Sequence, residues 1–430
     1  MKLQNRPHLS LRSPTGKSFL DFRISRRFAK VSALAATTSA LALLMGLWWM
    51  HARADSLRGG IGRGFELREG PWGHISAKPV LIKPPAETFD PDFKLGNGIW
   101  YFEKTSPHAL SGILRDCGLT QEQADAALST LEPVPNAPHL VSIDPPRGLV
   151  SSLDPETRSR LYSRLARLDA NFAQAQPFRM RADHLEDWLG AKSFDPELAA
   201  TVRKLLWRSG DTLLFSDYNL VAAGIPDPAA RVEFQRNLAQ KVSLLATLNV
   251  PAGSDVEGLV EYWGAGGSEE TVRPILEAAA AAGGAQVGIA DLLRPFAREH
   301  LNRFPEREQL EKSPPACHWS TFNFFTHGAP DDSFHTAAGV EAELEKNYSK
   351  LPEAAQPRFG DIVLLNEPGG TSIHSAVVIA GDIVFTKNGP SAATPWVLST
   401  VSEMKAFYPV GMPLIAAYYR PNPAIPDRAN

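Results

Sequence analysis

Between residues 358 and 388 the chain is a succession of short apolar runs cut by glycine-bearing turns, a rhythm that fits an antiparallel sheet and little else. Pro357-Arg358-Phe359-Gly360-Asp361 is a turn, Ile362-Val363-Leu364-Leu365 reads as a buried strand, and Glu367-Pro368-Gly369-Gly370 turns the chain again. His374-Ser375-Ala376-Val377-Val378-Ile379 and Ile383-Val384-Phe385-Thr386-Lys387-Asn388 then flank Ala380-Gly381-Asp382, the pattern of a hairpin. With a three-residue loop centred on Gly381, Ile379 pairs with Ile383. Counting outward, His374 faces Asn388, with Cβ atoms roughly 5 Å apart. A two-residue loop would shift the register by one and aim Asn388 elsewhere. In the first register the hairpin offers a histidine beside an amide able to fix its tautomer and ring orientation.

Upstream, Pro314-Pro315 precedes Ala316-Cys317-His318-Trp319-Ser320-Thr321-Phe322-Asn323-Phe324-Phe325. Prolines fit just before or at the first turn of a helix, so the run reads as a short, buried, aromatic helix that ends at Gly328. A cysteine at a helix start meets unpaired N–H groups, which favour the nucleophilic thiolate. The alternative is a small apolar residue in a core. His318, His327 and His335 lie near it without zinc spacing, and no metal site or cofactor is expected.

A helix-borne Cys317, then Gly360-Asp361-Ile362-Val363, then His374-Ser375-Ala376-Val377-Val378, then Asn388 on the next strand resembles the NlpC and CHAP group of papain-like cysteine peptidases. Leu414-Ile415-Ala416-Ala417-Tyr418-Tyr419-Arg420 suits a final strand of that fold. The resemblance covers about the last quarter of the chain. It departs from the NlpC pattern in having His318-Trp319 after the cysteine, where Trp319 is closer to CHAP, and in an acidic insert around Glu341-Ala342-Glu343. It implies a circularly permuted papain-like core, a Cys317–His374–Asn388 triad and hydrolysis of peptide or amide bonds, often in bacterial cell-wall peptides. Cys317 would attack a carbonyl, His374 would move the proton, Asn388 would hold the imidazole, and the Cys317 N–H would face the oxyanion.

The other end of the chain bears on location. Residues 1–30 hold eight basic side chains against Asp21 alone, and residues 31–50 carry no charge, long enough to span a bilayer at roughly 1.5 Å per residue. One reading is a basic cytoplasmic tail and an uncleaved inner-membrane anchor, with the bulk of the chain periplasmic. The other is export after a cleaved signal, since Arg26-Arg27 resembles a twin-arginine signal and Ala52-Arg53-Ala54 is an A-x-A site. The whole chain has 44 basic and 47 acidic residues, so beyond the tail it is acidic, which argues against a nucleic-acid partner.

Cys117 and Cys317 are the only cysteines, and in an oxidising compartment they could be joined. Such a disulfide would leave a non-catalytic envelope binding or assembly protein that keeps the fold. An acyltransferase using the same Cys–His pair is a third reading.

Between these ends, residues 55–150 read as a juxtamembrane mixed α/β segment. From there the pattern is helical: Asp154-Pro155-Glu156, Asp195-Pro196-Glu197 and Asp227-Pro228 are helix starts. Further helices are expected over 232–248, 269–282 and 289–304. The expected class is α+β, with a membrane segment at 31–50, a mostly helical domain over 151–305 that scaffolds or docks a polymer or protein partner, and a papain-like domain with a small antiparallel sheet over 310–425.

Overall fold

Two strands far apart in sequence, His74–Ile82 and Lys241–Pro251, pair antiparallel over their length, from His74 opposite Asn249 to Ile82 opposite Lys241. They are the centre of a four-stranded sheet completed by Phe65–Glu66 on one edge and Gly284–Gly288 on the other. The structure is a computed structural model that describes residues 64–189, 195–408 and 413–422 and the backbone of 428–429. The described residues belong to one compact unit.

Everything from residue 83 to residue 240 is inserted between those two paired strands. The insertion has two apolar centres of its own. One gathers Trp100, Leu110, Leu114, Leu161, Tyr162 and Trp207. The other gathers Trp188, Val202, Phe215, Tyr218 and Phe234. Each is covered by a three-stranded antiparallel sheet, built on Leu140–Ile143 and on Thr212–Phe215 respectively. The two are locked by a buried pair, Arg158 Nη1 to Asp217 Oδ2 at 2.5 Å, with the Tyr162 hydroxyl donating to Asp217 Oδ1 at 2.7 Å.

The C-terminal part carries a six-stranded antiparallel sheet in the order Tyr348–Lys350, Ile415–Pro421, Ile362–Asn366, Ser372–Ala380, Ile383–Lys387, Trp396–Thr400. Its edge strand Trp396–Thr400 meets Lys241–Pro251, where the Leu398 N–H donates to Ser243 Oγ at 3.3 Å. One apolar core therefore runs from Ile75 and Leu248 through Trp263 and Phe296 to Trp319, Val377 and Phe385. The opposite face of the six-stranded sheet has a smaller cluster of Val363, Leu365, Ala376, Val384 and Met404.

The helix starts at Asp154, Asp195 and Asp227 form as read, each aspartate accepting backbone N–H groups of the first turn. Other expectations change. The segment 151–305 is not mostly helical, because strands at Phe178–Arg181, Thr212–Phe215, Lys241–Pro251 and Gly284–Gly288 run through it. The helix expected over 232–248 stops at Ala239, and the chain continues as a strand in which Leu244, Ala246, Leu248 and Val250 are buried at every second position. The helix expected over 289–304 breaks at Pro295 into Ile289–Leu292 and Pro295–His300. The sheet expected to be small has six strands.

The fold class also changes at its N-terminal end. Among the described residues no helix is long and apolar enough to cross a membrane. The segment expected to do so, 31–50, lies outside the described residues, as do the basic tail and the A-x-A site. The supported class is α+β with antiparallel sheets.

Candidate active site

Cys317 is the first residue of the helix Cys317–Phe322, whose N-cap Ala316 supplies no side-chain bond. The helix is pinned to the sheet by aromatic packing. Trp396 Nε1 donates to Ser320 Oγ at 2.7 Å, and the Phe324 and Phe385 ring centres are 5.7 Å apart. Cys317 is 7% exposed, and its sulfur faces the backbone N–H groups of Ser375, His318 and Cys317 itself.

Helix-start chemistry predicts a thiolate here, and the balance falls the other way. Burial is the largest influence and pushes the Cys317 thiol up, while those three N–H groups and the charge of Lys387 pull it down. A helix of six residues has a weak dipole, so desolvation wins.

His374 is 1% exposed on the strand Ser372–Ala380, one residue before the peptide N–H that meets the sulfur. Its Nε2 lies 2.9 Å from Thr386 Oγ1, and the Thr386 hydroxyl donates to the Ser375 carbonyl at 3.3 Å. The hydroxyl proton is thus committed, so Thr386 accepts from His374, which assigns the Nε2–H tautomer and leaves Nδ1 as the basic nitrogen. Burial first, then the neighbouring His318, lower the His374 pKa to about 3. The Tyr408 ring stands edge-on to His374 at 5.8 Å, and its hydroxyl donates to the Ile373 carbonyl at 3.2 Å.

Asn388 does not take up the role expected of it. The hairpin turns on Gly381-Asp382, with Ala380 opposite Ile383 and a one-residue bulge before Val378 opposite Val384. The bulge restores the register that a three-residue loop would have given. The imidazole nonetheless reaches the diagonal neighbour Thr386 on the same sheet face, while Asn388 falls beyond the strand end at Lys387. The Asn388 Oδ1 is buried with no hydrogen-bond partner among the described residues, and Asn388 lines a separate cavity. The sequence did hold a signal for Thr386: it is the one hydroxyl in the strand Ile383–Lys387, on the His374 face.

Lys387 is a second group that sequence reasoning passed over. It is fully buried, its Nζ donates to the carbonyls of Gly389 (2.6 Å) and Ser391 (3.2 Å), and it lies 5.6 Å from the centre of the Trp396 ring. Burial lowers its pKa to about 7, and the negative charge available at Cys317 opposes that shift. Cys317 and Lys387 therefore bias each other toward the charged pair, and burial biases both toward neutrality.

The Gly360-Asp361 pair is built into the same sheet. Gly360 has φ +86° and lies against the Phe325 ring, where a Cβ would collide. Asp361, 1% exposed, accepts the Arg358 N–H and both Nε and Nη2 of Arg420 at 2.9, 2.9 and 2.7 Å, tying the strand Ile415–Pro421 to Ile362–Asn366. The histidines around Cys317 disperse. His318 Nδ1 is 2.9 Å from Ser375 Oγ, His327 contacts Arg294, and His335 stacks on Trp319 with ring centres 5.5 Å apart. Among the described residues no group of three or more His, Cys, Asp or Glu side chains could hold a metal ion. The two cysteines are free: Cys117 is buried in the core of Trp100 and Leu161, so the disulfide weighed between them is absent.

No protein-family model, curated protein or solved structure matches the chain.

Proposed function

We propose that this protein is a thiol-dependent hydrolase of peptide or amide bonds, with cell-wall peptides as the substrate class. Cys317 is the nucleophile, His374 the base and later the acid toward the leaving amine, and Thr386 the positioning residue in the place first given to Asn388. The observation that carries this reading is the tautomer assignment at His374. A threonine that donates to the Ser375 carbonyl makes Nε2 a donor and leaves Nδ1 as the acceptor of the ring; no hydrogen bond joins His374 to Cys317 among the described residues, so proton transfer requires the two to approach. The N–H groups around the sulfur are of the kind that stabilise a thiolate or a developing oxyanion. Because Cys317 and His374 are 7% and 1% exposed, turnover requires an opening step that admits the acyl group.

A second reading is favoured by that same burial: a protein in which Cys317 and His374 are core packing without turnover. Incubation with peptidoglycan peptide fragments, with new termini followed by mass spectrometry, separates the two. The hydrolase reading expects cleavage that vanishes in Cys317→Ala, falls about 10²- to 10⁴-fold in His374→Ala, and persists in Cys117→Ser. Wild-type protein that cleaves no fragment or model amide faster than Cys317→Ala would leave the packing reading in its place. Transfer of the acyl group to an added amine, in preference to water, would redefine the enzyme as an acyltransferase.

A further inference from the structure

The strand Trp100–Glu103 is an outer edge of its three-stranded sheet, paired on one side only, with Leu140–Ile143. The Lys104 N–H donates inward, to the His139 carbonyl at 2.8 Å. Main-chain groups alternate between the two sides of a strand in an antiparallel ladder. Trp100 and Phe102 therefore bond inward as Lys104 does, and Tyr101 and Glu103 turn their N–H and C=O outward. The outward groups of Tyr101 are met by one side chain. Asn171, 1% exposed, accepts the Tyr101 N–H through Oδ1 at 2.8 Å and donates to the Tyr101 carbonyl through Nδ2 at 2.9 Å. The same Nδ2 reaches the Leu165 carbonyl at 2.9 Å. Asn171 thus stands where a residue of a neighbouring strand would stand, and bonds as that residue would.

Two residues further along, the edge is open. Among the described residues nothing bonds the outward N–H and C=O of Glu103. A groove of about 470 Å³ runs beside them, between residues 101–105 and a facing wall of Arg164, Leu165, Arg167 and Leu168. That is within the range of about 300–1,000 Å³ in which binding clefts fall. Lys104, Arg164 and Arg167 are exposed and form no ion pair among the described residues, whereas the neighbouring Arg160 is held by Glu156. Glu103 is the one acidic residue that lines the groove. An unpaired strand edge offers pairing to any extended chain, and a surplus of positive charge beside it selects an acidic one. The same surplus repels the basic residues 1–30 of this chain and the same edge of a second copy.

We propose that this groove docks an extended acidic segment of a partner polypeptide, whose main chain adds beside Glu103 as Asn171 does beside Tyr101. A peptide residue placed opposite Glu103 in the antiparallel sense makes the same two bonds, one to the N–H and one to the carbonyl. Its acidic neighbours meet Lys104, Arg164 and Arg167. The site is independent of the hydrolase reading, since it uses neither Cys317 nor His374.

The test is fluorescence anisotropy of the full chain with a labelled, end-capped peptide of alternating glutamate and valine. Saturable binding is expected, weakening as salt rises. Arg164→Gln and Arg167→Gln should each weaken it about threefold, and roughly tenfold together. Lys78→Gln, an exposed lysine on another sheet, should leave it unchanged. Glu103→Pro removes the outward N–H, which an edge strand tolerates, and should weaken binding about three- to tenfold. Should Glu103→Pro fail to fold, the same peptide with its main-chain nitrogens methylated makes the same test on the unaltered protein, and it should bind at least about tenfold more weakly. Absence of saturable binding, or equal binding of a lysine–valine peptide, overturns the proposal. So does full binding of the methylated peptide, or polyphosphate binding where the acidic peptide does not, since either would make the groove an anion site without strand pairing. A dimer in sedimentation that Glu103→Pro dissolves would give the edge to a second copy and overturn it as well.

Discussion

The His374 Nε2 and the Thr386 hydroxyl oxygen stand 2.9 Å apart, and that hydroxyl passes its own proton to the Ser375 carbonyl. Replacing Thr386 by valine keeps the shape and removes the acceptor, which strands a buried imidazole N–H. The expected cost is about 1–3 kcal/mol in urea denaturation. Thr386→Ser restores the acceptor and should recover most of that loss. If valine and serine behave alike, the hydroxyl is not what holds the ring.

The pH dependence of stability follows from the same imidazole. His374 titrates near 6.5 when unfolded and at about 3 in the folded chain, because burial and His318 both oppose its charge. Between those values the unfolded state binds the proton and the folded state does not. The contribution is therefore fully present above pH 6.5 and is lost as pH falls toward 3. Denaturation curves at several pH values across that window should show a decline of a few kcal/mol, on the order of 1.4 kcal/mol per pH unit at its steepest. His318 and His300, also lowered by burial, add to it. His374→Gln should flatten the slope in part, and an unchanged slope would place the acid sensitivity elsewhere.

Gly360 is irreplaceable for a conformational and a steric reason at once. Its φ of +86° is unfavourable for any side chain, and the Phe325 ring occupies the position of a Cβ. Gly360→Ala is expected to destabilise the protein by roughly 2–5 kcal/mol, read as a shift in the urea midpoint without a change in slope.

The insertion has its own weak point at Arg158, fully buried and paired with Asp217. Asp217→Ala should cost about 3–5 kcal/mol because it leaves the guanidinium without a counter-charge. The joint replacement Arg158→Met with Asp217→Leu should cost less than Asp217→Ala alone. A double variant that is worse than the single one would contradict the claim that the stranded charge dominates.

Both thiols are pushed up by burial, and both are less than a tenth exposed. Iodoacetamide at pH 7 should therefore label neither Cys117 nor Cys317 appreciably in the folded chain, and both after denaturation. Rapid labelling of Cys317 at neutral pH in the native state would mean that the three N–H groups and Lys387 outweigh desolvation after all.

The parts of this architecture that were legible in the sequence are those written by local chemistry. Asp154, Asp195 and Asp227, each followed by proline, announce their helices because cap and first turn lie within three residues. The strands from Ile362 to Lys387 were legible as short apolar runs between turns. What was hidden depends on distant partners. The strand Lys241–Pro251 follows a helix without a turn signal stronger than Gln240, and its partner His74–Ile82 lies on the far side of the whole insertion. Thr386 was missed for a subtler reason. A bulge at Ile379 kept the expected register, but a long imidazole on a twisted sheet takes its diagonal neighbour as readily as the residue opposite. The direction of the Cys317 shift could not be read at all, since it depends on how deeply the helix start is covered.

The pairing of Ile82 with Lys241 has a consequence for how this chain can be cut and rejoined. Opposed residues in an antiparallel ladder sit about 5 Å apart, a gap that a tight two-residue turn closes. Residues 83–240 thus leave and return through one narrow doorway. Deleting them and bridging Ile82 to Lys241 with Asn-Gly would convert the two strands into an ordinary hairpin. That shortened chain would retain the six-stranded sheet, Cys317 and His374.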